Sequence, residues 1–253
     1  RVKELITANQ GQEDFCILNY EDQVLREFAA KCPARVVFFS SERRLEEGIF
    51  LEGDKIILRL NGREQEVVRT GELKLLGKHN FENVMAAGAM AYCAGVPLET
   101  IRSAVMKFKA VPHRIEFVEE IKGVAYYNDS KGTNPDAAIK GIQAMNRPTL
   151  LIGGGYDKES SYEEWIQSFE GKVRYLVLIG QTREKIREAA HACGFEHTIL
   201  ADSLKEAVEI CAQKAREGDA VLLSPACASW GQFDNYEQRG DMFKKYVREL
   251  ESR

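Results

Sequence analysis

The chain has 253 residues, 44% of them apolar and 29% charged, with a net charge of −4. That composition supports a packed core in one large or two ordinary domains. Its mild acidity excludes a protein held to nucleic acid or to an anionic membrane by bulk charge, and no apolar run approaches the ~18 residues that a membrane-crossing helix needs.

The first residues do not read as a secretory leader. Arg1 rather than Met stands first, so the chain is expected to be a piece of something longer. The cysteines Cys16, Cys32, Cys93, Cys193, Cys211 and Cys227 form no CxxC pair. They read as reduced, buried thiols of a cytoplasmic protein rather than as a disulfide framework. The four histidines are far apart and none pairs with a cysteine at ligand spacing, which argues against zinc.

In chain order, a strand is expected over 15–19, then a helix over 24–31 stopped by Pro33. A buried strand follows over 35–40, and short strands over 48–51, 55–60 and 64–69. Gly53-Asp54 separates the first two of these, and Asn61-Gly62, a strong two-residue hairpin signal, the last two. A helix over 80–94 ends at Gly95, a natural C′ residue. Another begins after Pro97, with Leu98, Ile101, Val105 and Phe108 at helical spacing. From about Val111 the pattern alternates: strands over 124–128, 149–152, 175–179, 198–200 and 220–223, and helices over 135–145, 162–169, 182–193, 204–217 and 240–250. Alternation of this kind predicts a doubly wound parallel sheet, whose ligands bind beyond the carboxyl ends of the strands.

The residues just after those strands are therefore the ones to weigh. After the first comes Asn128-Asp129-Ser130-Lys131-Gly132-Thr133-Asn134-Pro135. This loop suits a capped helix with solvated charges; it equally suits a phosphate or carboxylate site, with Lys131 as cation and helix-start N–H groups as donors. After the second comes Gly153-Gly154-Gly155-Tyr156-Asp157-Lys158. Three glycines would let backbone approach a ligand, but this is not GxGxxG, and Lys158 could be a surface lysine. After the last strand, the segment from Ser224 to Gly240 is too apolar and too rich in small residues for a casual surface loop. Cys227 within it has no nearby histidine in sequence and reads as structural. Pro112-His113-Arg114-Ile115-Glu116 reads as a linker, and Asn80 and Asn83 as helix caps.

Taken together and in order, HNxxNxxAA (His79 to Ala87), PHR (Pro112 to Arg114), DSKGTN (Asp129 to Asn134), GGxxxK (Gly153 to Lys158) and SPACASxxQFxxYExRG (Ser224 to Gly240) resemble the Mur ligases of peptidoglycan synthesis over essentially the whole chain. The DSK loop and the SPACAS segment look like the branch that adds D-glutamate. Gly132 stands where alanine is usual, and Tyr236 where relatives often have phenylalanine.

The resemblance implies an α/β protein in two parts. Residues 1–110 would be the end of a central ATP-binding domain, and 111–253 a Rossmann-like domain that brings the amino acid. No GxxxxGK[ST] phosphate loop occurs, so the chain alone is expected to be inactive. The implied reaction uses ATP and Mg2+ to convert the carboxylate of UDP-N-acetylmuramoyl-L-alanine to an acyl phosphate, which the amine of D-glutamate attacks. Several anions must meet, so cations and preorganised donors are needed. By resemblance, Lys131 and His113 are catalytic, and Asn80, Asn83, Arg114 and Asp129 contact the nucleotide. Thr133, Lys158, Ser229 and Tyr236 hold D-glutamate, and Lys3 carries a carbamate that bridges to Mg2+. A cytoplasmic monomer is expected. Two other readings stay open: a related ligase such as a folate polyglutamylating enzyme, and a non-catalytic module that binds a nucleotide or an acidic amino acid.

Overall fold

The computed structural model describes residues 3–251 and divides into two compact units, 1–109 and 110–253. In the first, a 3-10 turn (Lys3–Thr7) precedes β1 (Phe15–Asn19), α1 (Gln23–Ala29), β2 (Arg35–Ser40), β3 (Gly48–Glu52), β4 (Lys55–Leu60) and β5 (Arg63–Arg69). Then come α2 (Lys78–Cys93) and α3 (Leu98–Lys107). The five strands form one sheet in chain order, parallel from β1 to β3 and antiparallel from β3 to β5.

Strand alternation sends successive side chains to opposite faces. Cys16 and Leu18 pack with Leu25 and Phe28 of α1, and Phe50 packs with Leu45, Ile57 and Phe38. Ile49 faces the other way, towards α2, where Gly88 keeps the helix close; a Cβ there would lie 3.7 Å from Ile49 Cδ1. Asp22 caps α1 by accepting from the N–H groups of Val24 and Leu25. The β4–β5 hairpin turns through Asn61 and Gly62, both at positive φ (52° and 72°), as the sequence signal requires.

The second unit runs β6 (Glu116–Ile121), β7 (Val124–Asn128), α4 (Pro135–Gln143), β8 (Thr149–Gly153), α5 (Glu163–Gln167) and β9 (Val173–Leu178). It continues with α6 (Arg183–Ala192), β10 (Thr198–Leu200), α7 (Leu204–Lys214), β11 (Ala220–Leu223) and α8 (Tyr236–Glu251). The sheet order is β10-β9-β8-β11-β7-β6, parallel throughout except for the antiparallel edge strand β6. Every residue of β7, β8 and β11 is buried, as expected of strands covered on both faces. Inward residues of these strands pack with Leu204, Val208 and Cys211 of α7 and Phe243 and Val247 of α8. This is the doubly wound α/β architecture that the alternation implied.

Many ends shift by one to three residues from the sequence reading, and two differences are larger. The stretch at Glu116, taken as linker, opens β6, and α8 starts at Tyr236 rather than at 240. Among the described residues, no helix is long and apolar enough to cross a membrane.

An added Cβ at Gly62 would meet nothing within 4 Å, so Gly62→Ala tests backbone conformation alone. The expected loss is about 1 kcal/mol, read from the urea midpoint. A cost near zero would mean that the hairpin does not turn there at positive φ.

Candidate functional site

The second unit brings three loops to one edge of its sheet. β11 lies between β7 and β8, and Leu223 is paired in register with Asn128 on one side and Ile152 on the other. The chain therefore leaves the sheet side by side at 128–135, 153–158 and 224–240. These segments carry Lys131 and Thr133, Lys158, and Ser229 and Tyr236.

A buried guanidinium ties the first and third loops. Arg239, in the first turn of α8, is 0% exposed. Its Nε donates to Ser130 Oγ (2.9 Å), Nη2 to the Ser130 carbonyl (2.7 Å) and Nη1 to the Cys227 carbonyl (3.1 Å). Ser130 Oγ in turn donates to the Tyr236 carbonyl at 2.8 Å. Burial lowers the Arg239 pKa to about 10, so it remains charged at neutral pH. Asp129 beside it faces inward: Oδ2 accepts from Ser224 Oγ (2.7 Å) and Oδ1 from the Ile115 N–H (3.2 Å). Burial raises its carboxyl to about 7, against the opposing pull of those donors and of Arg114 and Arg239.

His113, at φ 64°, is a wedge under the Lys131 loop. Its carbonyl accepts the Lys131 N–H at 3.0 Å, and its own N–H donates to Glu116 Oε2 at 2.9 Å. Asn128 Nδ2 lies 3.1 Å from His113 Nδ1, which makes Nδ1 the acceptor and leaves the ring proton on Nε2. Gly240 permits this approach, since a Cβ there would fall 2.2 Å from Nδ1. The imidazole packs edge-on to Tyr236, whose ring also carries the Lys131 ammonium 5.6 Å from its centroid. Lys131 and Arg114 are exposed, whereas His113 is enclosed.

The glycines that end and follow β8 answer to the protein rather than to a ligand. Gly154 (φ 95°) and Gly155 (φ 157°) pass so close to other backbone that a Cβ would sit 2.2 Å from the Ile179 carbonyl oxygen and 2.4 Å from that of Ala228. The Gly154 and Tyr156 N–H groups donate to the Pro225 and Ala228 carbonyls, locking the second loop to the third. Lys158 is exposed, with its Nζ 4.7 Å from the Trp230 ring centroid. Ser229 next to it is 5% exposed.

Cys227 is buried, 3.2 Å from Tyr162 Oη and 3.4 Å from Thr182 Oγ1. Burial pushes its thiol up from the usual range, which suits packing and not nucleophilic attack. Thr133 is half-buried before α4, whose cap is Asn134.

The remaining sequence candidates belong to the first unit. Asn80 and Asn83 lie one turn apart at the start of α2, and the cap residue is Gly77 rather than either of them. Asn80 is buried and donates to the Leu76 carbonyl at 2.7 Å; Asn83 is exposed. Lys3 opens the first 3-10 turn, and its side chain lies outside the described residues. Arg239 is the site residue that the sequence reading passed over. Its only signal was a charged residue inside the motif that ends at Gly240.

Two family models match the chain: Mur ligase middle domain over residues 1–91, and Mur ligase, glutamate ligase domain over 113–227. The UDP-N-acetylmuramoylalanine--D-glutamate ligase of Lachnoclostridium phytofermentans is 56% identical over 245 residues, 97% of this chain and 54% of that protein. The chain thus spans about half the length of the curated relatives it matches. Among solved structures, the UDP-N-acetylmuramoylalanyl-D-glutamyl-2,6-diaminopimelate--D-alanyl-D-alanyl ligase of Acinetobacter baumannii superimposes with a TM-score of 0.69 at 16% identity, over 99% of this chain and 54% of that one. The MurF ligase of Thermotoga maritima, in complex with ADP, gives 0.60 at 16% identity, over 97% and 56%. At such identities the structures speak for the fold.

Two outcomes follow from the buried charges. Arg239→Ala leaves the Ser130 and Cys227 acceptors unpaired and opens a cavity; the expected loss is about 3 kcal/mol or more in urea unfolding. Asp129 has a raised folded pKa, so its contribution to stability is present below about pH 4 and is lost as the pH rises through about 7. Asp129→Asn should therefore gain stability relative to the wild type steadily between these limits; a pH-independent difference between the two would refute the buried-carboxyl reading.

Proposed function

Because this chain belongs to the Mur ligase family and matches both its middle-domain and its glutamate ligase domain models, we propose that the full-length protein uses ATP to join D-glutamate to UDP-N-acetylmuramoyl-L-alanine in the cytoplasm. The observation that carries the reading is the in-register junction of β7, β11 and β8, which sends the loops bearing Lys131 and Thr133, Ser229, and Lys158 off one sheet edge. The 56% identity to a ligase of that name supports the choice of amino acid.

The chemistry assigns the residues as follows. An oxygen of the substrate carboxylate attacks the terminal phosphorus of ATP, and ADP leaves. The amine of D-glutamate then attacks the acyl carbon, and phosphate departs from the tetrahedral intermediate. Lys131 supplies positive charge where negative charge grows, and its approach is fixed by the His113 carbonyl and the Tyr236 ring. His113 acts by placing Lys131, because its own ring is enclosed. D-Glutamate has two carboxylates, and its site needs donors at separated points: Lys158 gives a charge, Ser229 and Thr133 give hydroxyls, and Tyr236 forms a wall. Arg114, Asn80 and Asn83 serve the nucleotide. Asp129 serves it indirectly, by holding the loop, since both of its oxygens are engaged within the protein.

Mg2+ belongs to the reaction by family resemblance. Among the described residues, no group of three or more His, Cys, Asp or Glu side chains could hold a metal ion. The Lys3 side chain, which the resemblance expects to carry a carbamate bridging to Mg2+, lies outside the described residues.

The test is ADP release by the full-length protein, which should require both UDP-N-acetylmuramoyl-L-alanine and D-glutamate; turnover with a folate acceptor instead would sink the assignment. Lys131→Ala should lower kcat by about 100-fold or more, and Lys131→Arg by less. A change confined to the KM for D-glutamate would make Lys131 a binding residue only.

A further inference from the structure

Tyr156 and Trp230 stand out as exposed aromatic side chains, 40% and 53% accessible, on the two loops that the Tyr156–Ala228 bridge locks together. Their rings meet edge to face with centroids 5.6 Å apart. Both line a cavity of about 560 Å³ at the carboxyl edge of the sheet, whose charged lining is Arg183, Glu184 and Asp202; Arg183 and Asp202 are paired with each other. The Lys158 ammonium rests over the Trp230 ring. Of the two carboxylates that flank Lys158 in sequence, Asp157 and Glu159, the first is occupied by Lys185, whose Nζ lies 3.1 Å from Oδ2.

We propose that Trp230 is a positioning residue that holds the Lys158 ammonium over its indole face, ready for a substrate carboxylate. This rests on the assignment of Lys158 to D-glutamate. A free lysine side chain has many rotamers, and ordering it on binding costs affinity. A carboxylate partner would order it too, but would neutralise the charge that the substrate needs. The face of an indole orders a cation and leaves its charge intact. Tyr156 keeps the indole from swinging away, and its own backbone is pinned by the Ala228 carbonyl.

Two measurements test this. The chain has two tryptophans, and the other, Trp165, is fully buried, so Trp230 dominates the solvent-exposed emission. Lys158→Met keeps an unbranched side chain one atom shorter and removes the charge. It should shift the Trp230 emission, and the shift should vanish in a Trp230→Phe background. An unchanged spectrum overturns the proposal. In the full-length protein, Trp230→Ala should raise the KM for D-glutamate about two- to fivefold, with kcat and the KM for ATP unchanged, and Trp230→Phe should restore most of the loss. Adding Trp230→Ala to Lys158→Ala should cost nothing further; independent, multiplying effects, or a Trp230→Phe variant no better than Trp230→Ala, overturn the proposal. If Lys158→Ala itself leaves the D-glutamate KM unchanged, the assignment of Lys158 falls, while the emission shift still judges the placement of its ammonium.

Discussion

The second unit depends on one desolvated charge. Arg239 sits where water cannot reach it, and it is stabilised by three neutral acceptors donated by two different loops. A guanidinium can do this because its donors form a rigid planar fork; a lysine ammonium in the same place would lose that geometry. What Arg239 grips is the stretch of backbone next to the candidate site residues. Ser130 precedes Lys131, and Cys227 stands two residues before Ser229. The clamp thus fixes the origin of each side chain and leaves its tip free.

Charge in this unit is sorted by depth. Inside, the environment works against ionisation: Asp129 is pushed towards its neutral form, Arg239 is brought down, and the Cys227 thiol is kept protonated. At the rim, Lys131 and Lys158 stay exposed and lean on aromatic rings.

Much of this was legible in the sequence where local chemistry decides structure. Asn61-Gly62 named its turn because few residues accept two positive φ values in succession. The buried parallel strands announced themselves as short apolar runs, and their alternation with helices pointed to the doubly wound sheet and its carboxyl edge. Three features escaped for physical reasons. β6 carries Glu116, Glu119 and Glu120, and an edge strand with charged positions looks like a linker. The glycines at 154 and 155 looked like room for a ligand, whereas the room is taken by the carbonyls of Ile179 and Ala228. Arg239 was invisible because arginine is normally a surface residue, and only the fold reveals that α8 begins early enough to bury it.

The position of β11 also sets an order of assembly. It fills the slot between β7 and β8, yet it follows β7 by the whole of three other strands and four helices. The hydrogen bond from Ser224 to Asp129 spans 95 residues, and that from Arg239 to Ser130 spans 109. Contacts this distant in sequence form slowly, because a long loop must close before they repay its entropy. During synthesis from the N-terminus, β7 and β8 emerge with a strand-wide gap between them and unpaired edges facing it. The segment that heals the gap is the same one that delivers Ser229, Tyr236 and Arg239. This edge therefore cannot precede a finished sheet: a chain interrupted before β11 lacks all three of these residues and leaves two strand edges open to aggregation.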